Sequence, residues 1–465
     1  IGRRVPLQAI YDLAQAITAK YGADGYVLSR AIVPPQELAP GGAVVRIEVV
    51  EGYVDKVEWP AKLARYRDFF SYYASKITSE RPANVRTMER YLLLANDLPG
   101  LKFTSSLRAS KTNRNASTMV VEVAEKPVDL FARVDNRGTQ SRGPWQYYLS
   151  PTFQNLAGAH EALTLAYAGV SPPKELQFVA PSYRQVLTPE GLTVFVNASY
   201  GWGYPGGQIL EALNFKTRST YVEGGAYSPI VRTRERNLTA TALMFMSESY
   251  SFINADQNNP FNVDRLRGVR LRLEGDMADR LNGINQFSTT LSQGIEGLGS
   301  TENGQPFASR PAGRVDFTKL EVFVSRIQPL PARFSAQIAG YGQYGFTPLL
   351  SPEQCSYGGR VFGRAYDPSD LLGDSCLMGF VELRYDLPTG AALAPSTQLY
   401  TYVDKGYRYI KSAPVGLDAT ATAASAGAGV RLNWQNHVNV DLSAAKAIEG
   451  FRNDWRFFLI ASARN

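Results

Sequence analysis

From Val128 to the end, the chain is a succession of segments about ten residues long in which apolar and polar side chains alternate. In GVRLRLEGD, Val269, Leu271 and Leu273 fall on one side, and Arg270, Arg272 and Glu274 on the other. In FSTTLSQGIE, Phe287, Leu291 and Ile295 oppose Ser288, Ser292 and Glu296. In FSAQIAGYGQ, Phe334, Ala336 and Ile338 oppose Ser335 and Gln337. A period of two is the period of a strand. About sixteen such segments can be counted, from VDLFARVDNRG to WRFFLIASARN. The connections alternate in length: AGAH, TPEG, RLNG and PLPA are short, while INADQNNPFNVD, GSTENGQPFASRPAGRVDF and the segment around residues 348–376 are long. Short turns on one side and long loops on the other, with one strand face for lipid and one for water, describe an outer-membrane barrel. A soluble β-sandwich shares the alternation, but it explains neither inward arginines in strand after strand nor an even strand number. Lipid cannot hydrogen-bond a free sheet edge, so the first and last strands are expected to pair. Both ends of residues 128–465 then lie on the short-turn side.

Composition narrows the function. No run reaches the ~18 apolar residues of a membrane-spanning helix. The net charge of +7 is spread without a Lys/Arg block, so no nucleic-acid partner is expected. The only histidines, His160 and His437, sit at the borders of expected strands and read as rim residues. GxSxG, HExxH, CxxC and the phosphate-binding GxxxxGK[ST] are all missing, so neither an enzyme nor a metal or cofactor site is expected.

Before Pro127 the pattern is different. In LQAIYDLAQAITAKY, Leu7, Ile10, Leu13, Ile17 and Tyr21 form a helical stripe, followed by strands in GYVLSRAIVP and AVVRIEVVEGYVDKVEW. Two helices, LARYRDFFSYYASKI and NVRTMERYLLLANDLPG, then precede strands LKFTSSLRAS and STMVVEVAEKP. This predicts two small α/β modules, over residues 1–58 and 53–127, sharing a linking strand, the first lacking an opening strand. In the second, KFTSSLRAS is the candidate edge for capturing an extended chain, with Phe103, Ser105 and Leu107 alternating against Lys102, Thr104 and Ser106.

The long segment around 348–376 carries VFGRAYDPSDLLGD, flanked by Cys355 and Cys376. A bridge between these two would close about twenty residues, stabilise by roughly 3 kcal/mol, and imply an oxidising compartment.

Two small α/β modules, sixteen strands and a long sixth loop with an Arg-aromatic motif resemble the two-partner secretion transporters of the POTRA–barrel superfamily, which also contains outer-membrane insertases. LSRAIVPPQELAPGGAVVRIEVVEGYVDKVE is similar to the second half of a POTRA (polypeptide-transport-associated) domain. VDNRGTQSRGPWQ resembles the opening strand and first loop of the barrel. The family's sixth-loop motif, Val/Ile-Arg-Gly-Phe/Tyr, is matched by Arg364 and Tyr366 within Gly363-Arg364-Ala365-Tyr366-Asp367, but not by Gly363 or Ala365. Gly373-Asp374 follows, as in these transporters.

The resemblance implies that this loop folds into the barrel and that its arginine meets an aspartate on the thirteenth strand. The matching pattern here is Tyr402-Val403-Asp404-Lys405-Gly406. Strand alternation places Tyr402, Asp404 and Gly406 inward, and likewise Glu382 and Arg384, so the arginine is expected to find Asp404, with Glu382 as the second carboxylate within reach. The resemblance further implies a monomeric transporter in the bacterial outer membrane, POTRA modules in the periplasm. It would take an unfolded, β-rich secreted partner by its amino-terminal region and pass it through the barrel. The alternatives are an insertase of the same superfamily and a passive porin. The resemblance also implies a terminal aromatic residue, where this sequence has Ala463-Arg464-Asn465.

Overall fold

The structure, a computed structural model, describes residues 5–37, 43–254, 259–388, 396–435 and 437–465. The first module has a helix, α1 (Leu7–Ala23), and a two-stranded antiparallel sheet, β1 (Arg30–Ile32) with β2 (Glu48–Val50). So small a sheet covers little of the helix. Ala14 is buried and Ile10, Ile17 and Tyr21 are half-buried, whereas Leu7 and Leu13 of the expected stripe stay exposed.

The second module contains β3 (Tyr53–Glu58), α2 (Arg67–Ser79), α3 (Val85–Asn96), β4 (Leu101–Ala109) and β5 (Ala116–Glu125). Its sheet has the order β3-β5-β4, with β3 parallel to β5. The strand expected to be shared between modules therefore belongs to the second, because its backbone pairs with Ala116–Val120. Asn84 starts α3 by accepting a hydrogen bond from Arg86 N at 3.0 Å. Phe70, Tyr73 and Ile77 of α2 and Met88, Tyr91 and Leu94 of α3 close a core with Val54, Leu101, Phe103, Met119 and Val121.

The rest is a closed barrel of sixteen antiparallel strands. The first strand (Val128–Asp135) pairs with the last (Trp455–Arg464), with Ala132 opposite Ala463. Outward positions such as Leu271, Val324, Val381 and Phe457 are exposed on the barrel, as a lipid-facing band requires.

The second module sits against the short-turn rim. Glu190, in the turn between the fourth and fifth barrel strands, accepts hydrogen bonds from Tyr72 at 2.8 Å, Tyr91 at 2.9 Å and Arg90 at 2.8 Å. Burial pushes its carboxyl up, but these donors outweigh burial and hold it below the usual range. His160, in the preceding short turn, is buried with its ring centroid 4.5 Å from those of both Tyr66 and Phe69. Desolvation pushes this imidazole down to about 4. Arg232 adds a two-pronged pair with Asp97, at 2.7 Å on each arm.

Candidate functional site

The connection between the eleventh (Phe334–Gly345) and twelfth (Ser375–Asp386) barrel strands contains a small hairpin, Cys355–Tyr357 against Leu371–Gly373. A disulfide joins Cys355 to Cys376, tying the hairpin base to the top of the twelfth strand. Glu353, just before the hairpin, is buried against the wall between Arg270 at 2.7 Å and Lys319 at 2.9 Å. Asp374, just after it, is fully buried and gathers three loops: it accepts from Arg310 at 2.5 Å, Leu349 N at 2.9 Å and Lys411 N at 2.6 Å.

The hairpin tip carries the predicted motif and lies inside the barrel wall. Gly363 has φ +70°, and a Cβ there would stand 2.7 Å from Gly358 N, so only glycine suits the turn. Its N–H donates to Asp404 Oδ1 at 3.0 Å, and Arg364 N donates to Oδ2 at 3.3 Å. Tyr357 Oη donates to the same carboxylate at 2.5 Å and Ser425 Oγ at 2.7 Å. The Tyr357 ring lies on Gly406, where a Cβ would approach within 2.2 Å of the ring; this explains the glycine in the strand.

Of the two carboxylates expected to meet it, the Arg364 guanidinium takes Glu382. It pairs with Glu382, Nη1 to Oε2 at 2.5 Å, and is not the group on Asp404. Register gives the reason. Asp404 stands opposite Phe380, and Glu382 stands opposite Tyr402, one inward position nearer the short-turn side. The loop backbone stops at the level of Asp404, and the extended arginine reaches the next carboxylate. Its Cζ lies 4.1 Å from the Tyr402 ring centroid and 4.8 Å from that of Phe380. Glu382 is fully buried and also receives Arg384 at 2.7 Å and Arg431 at 2.8 Å. The three donors fill the carboxylate lone pairs that a single buried pair would leave open, and Arg431 is balanced in turn by Asp441 at 3.2 Å.

The other flank of the tip faces the last strands. Asp367 pairs with Arg456 at 2.6 Å and Arg452 at 2.7 Å, and Arg456 also donates to Ala365 O at 3.3 Å. Tyr366 is buried, donates to the carbonyl of Glu449, and meets the Phe451 ring at 5.4 Å. The motif residues 363–367 are thus brought together with Asp404, Glu382 and Gly406. Sequence reading placed Arg384 in the lumen without a partner and missed Arg431, Arg452, Arg456, Ser425 and Tyr357; inward parity marks lumenal strand residues but does not pair them.

Among the described residues, the candidate capture strand, β4, is at the edge of its sheet and pairs with β5 alone. Phe103 is buried, whereas Thr104, Ser105 and Leu107 are exposed. The Asn96 side chain caps the free edge at its start, accepting from Phe103 N at 2.8 Å and donating to Phe103 O at 3.3 Å.

The sequence profile of the haemolysin secretion/activation protein family ShlB/FhaC/HecB matches residues 115–432. The chain belongs to this family. The profile of the ShlB-type POTRA domain matches residues 1–52, ending where the structure assigns the next strand to the second module. The haem/hemopexin transporter protein HuxB of Haemophilus influenzae is 22% identical over 460 residues, covering 98% of this chain and 80% of the relative. The outer membrane transporter CdiB of Dickeya dadantii is 24% identical over 383 residues, covering 77% and 63%. The solved structure of CdiB from Escherichia coli superposes with a TM-score of 0.76 at 17% identity, covering all of this chain and 86% of that one, which is a likeness of fold. This member of the family is a two-partner secretion transporter, with its barrel in the outer membrane and its POTRA region in the periplasm. The secretion family match leaves the insertase alternative less supported than export.

Proposed function

We propose that this transporter captures its secreted partner unfolded, as a strand added to the free edge of β4, and passes it as an extended chain through a lumen gated by the sixth-loop hairpin. One barrel encloses the whole path, so the working unit is the monomer. The hairpin's anchors carry the reading. They are hydrogen bonds and ion pairs to wall side chains, interactions that an entering polar chain can replace group by group. The Glu382 and Asp404 carboxylates are the two points of hold, one for the Arg364 side chain and one for the loop backbone.

On β4 the free-edge groups alternate with those that bond β5. Because Asn96 reaches Phe103 from outside, Ser105 and Leu107 share its parity and offer N–H and C=O outward. Proline at such a position deletes an edge donor and leaves the ladder intact. Ser105→Pro is therefore expected to abolish appearance of the partner in the medium while the second module stays folded. Thr104→Pro, which removes a ladder donor to β5, should unfold it. Export by Ser105→Pro at the unaltered rate would sink capture at this edge.

A further inference from the structure

Arg137 is buried just beyond the end of the first barrel strand, and among the described residues no carboxylate pairs with its guanidinium. An unpaired buried cation is costly unless other groups hold it. Here Nη1 donates to Arg364 O at 2.8 Å and Nη2 to Gly359 O at 3.2 Å, and the guanidinium stacks on Phe458 with Cζ 3.8 Å from the ring centroid. The two carbonyls bracket the hairpin tip. Phe458 belongs to the last strand. One side chain from the first strand's end therefore grips the loop backbone while resting on the strand across the closing seam.

The seam itself is secured beside it. The backbone ladder between first and last strands covers Phe131–Asp135 and Ile460–Arg464. Beyond it Asn136 extends the seam with both backbone and side chain: its N–H donates to Leu459 O at 3.2 Å, and its side chain accepts from Leu459 N at 2.8 Å and donates to Phe457 O at 3.0 Å. Asn136 and Arg137 are adjacent, so the end of the seam and the hairpin tip are fastened by neighbouring residues of one short segment. Withdrawing the hairpin pulls on residue 137; parting the strands moves residue 136 with it.

We propose that Arg137 is a positioning residue that clasps the sixth-loop hairpin to the barrel seam, so that loop withdrawal and loosening of the seam's outer end occur together. The inference rests on the reading that the hairpin gates the lumen. Arginine suits the task because its planar fork reaches two carbonyls at once and still stacks, which a lysine cannot do.

The test needs no partner protein. The purified full chain is placed in planar lipid bilayers and its single-channel record followed. Arg137→Ala should raise the fraction of time in the high-conductance state by about tenfold, the size expected for losing hydrogen bonds from a charged group. Arg137→Lys should fall between it and the unaltered protein. A seam staple, Val134→Cys with Ala461→Cys, joins directly opposed residues near the seam's outer end. Oxidising it in the Arg137→Ala background should return the record towards the closed state, and reduction should release it. A purely structural role would not make conductance depend on the staple's redox state.

An unchanged record for Arg137→Ala overturns the clasp, and a raised conductance indifferent to the staple overturns the coupling. Arg364→Ala separates the two readings. If it opens the channel and Arg137→Ala does not, only the clasp fails; if neither does, the gating reading fails first. Should Arg137→Ala not insert as a barrel, Phe458→Leu removes the stacking face and carries the same expectations.

Discussion

The hairpin tip in the lumen and the core of the second module are both densely packed around aromatic rings, yet only the tip adds a buried cluster of charges to that packing. The module closes on apolar and aromatic side chains, with Phe70, Tyr73 and Phe103 around Trp59. The tip buries Tyr357, Ala365 and Tyr366 in a cluster with Met378, Tyr402 and Phe458, and is held in addition by Glu382, Asp404, Asp367 and the arginines around them. Apolar burial is non-directional and is lost only when the pieces separate. A charge cluster is specific in geometry, and its partners can be exchanged for other polar groups. The comparison assigns permanence to the module and exchangeability to the loop.

The most disruptive way to break this contrast is at Glu382. Glu382→Ala leaves Arg364, Arg384 and Arg431 without their shared carboxylate, at a cost of about 3–5 kcal/mol for an uncompensated buried charge. Export should be lost, and the channel should open without its partner. A double-mutant cycle sharpens the point. Arg364→Ala and Glu382→Ala should be strongly non-additive in channel opening. Arg364→Ala and Asp404→Ala should be closer to additive, because alanine keeps the backbone nitrogens that Asp404 holds. Equal coupling in both cycles would refute the division of labour between the carboxylates.

On the apolar side, Ile77→Ala opens a cavity in a fully buried position and should cost about 2–5 kcal/mol. The expected outcome is a proteolysis-sensitive second module on a barrel that still resists SDS at room temperature. A barrel that unfolds together with the module would show that the two regions are one cooperative unit.

Between them lies the docking rim, where the two kinds of holding meet at His160. Its folded pKa of about 4 lies below the ordinary value of 6.5, so the unfolded or undocked state binds the proton more readily. The stabilisation from the buried neutral ring is complete above pH 6.5 and is lost as pH falls from there towards about 4. Hydrogen exchange across α2 should accordingly rise in that window, and His160→Phe, which keeps an aromatic body between Tyr66 and Phe69, should remove that part of the rise. Neighbouring Glu161 and Arg65 oppose each other in their effect on the ring.

Much of the barrel could be read in advance because a period of two is carried by each strand's own residues: the alternation in LYTYVDKGY already turns Tyr402, Asp404 and Gly406 inward. Which inward residue meets Arg364 is a different kind of fact. It depends on the register of the twelfth strand against the thirteenth and on how deep the loop descends, and neither strand encodes that alone. Tyr53–Glu58 illustrates the same limit, since its parallel partner in β5 comes after both helices, and its own pattern fits either module. Arg137 was invisible for a related reason: in VDNRG it is one more arginine at a strand end, and only the folded loop supplies the carbonyls that give it work.

The smallest expected effect concerns the start of the capture edge. Asn96 Nδ2 also donates to Leu92 O at 2.9 Å, so one amide finishes α3 and covers the outward pair of Phe103, next after that of Leu101, whose N–H donates to Leu98 O. In the empty transporter, the Phe103 amide should therefore be protected from exchange while those of Ser105 and Leu107 exchange freely. Asn96→Ala should expose Phe103 as well, at a cost of about 1 kcal/mol for a lost hydrogen bond. It lengthens the open edge by one outward pair, so a captured strand can slide by two residues. Cysteine cross-links from Ser105→Cys to the bound partner would then spread from one position to two. A single unshifted cross-link would mean that register is set by Phe103 and Leu107 packing, and that the edge is closer in kind to the apolar core than to the loop.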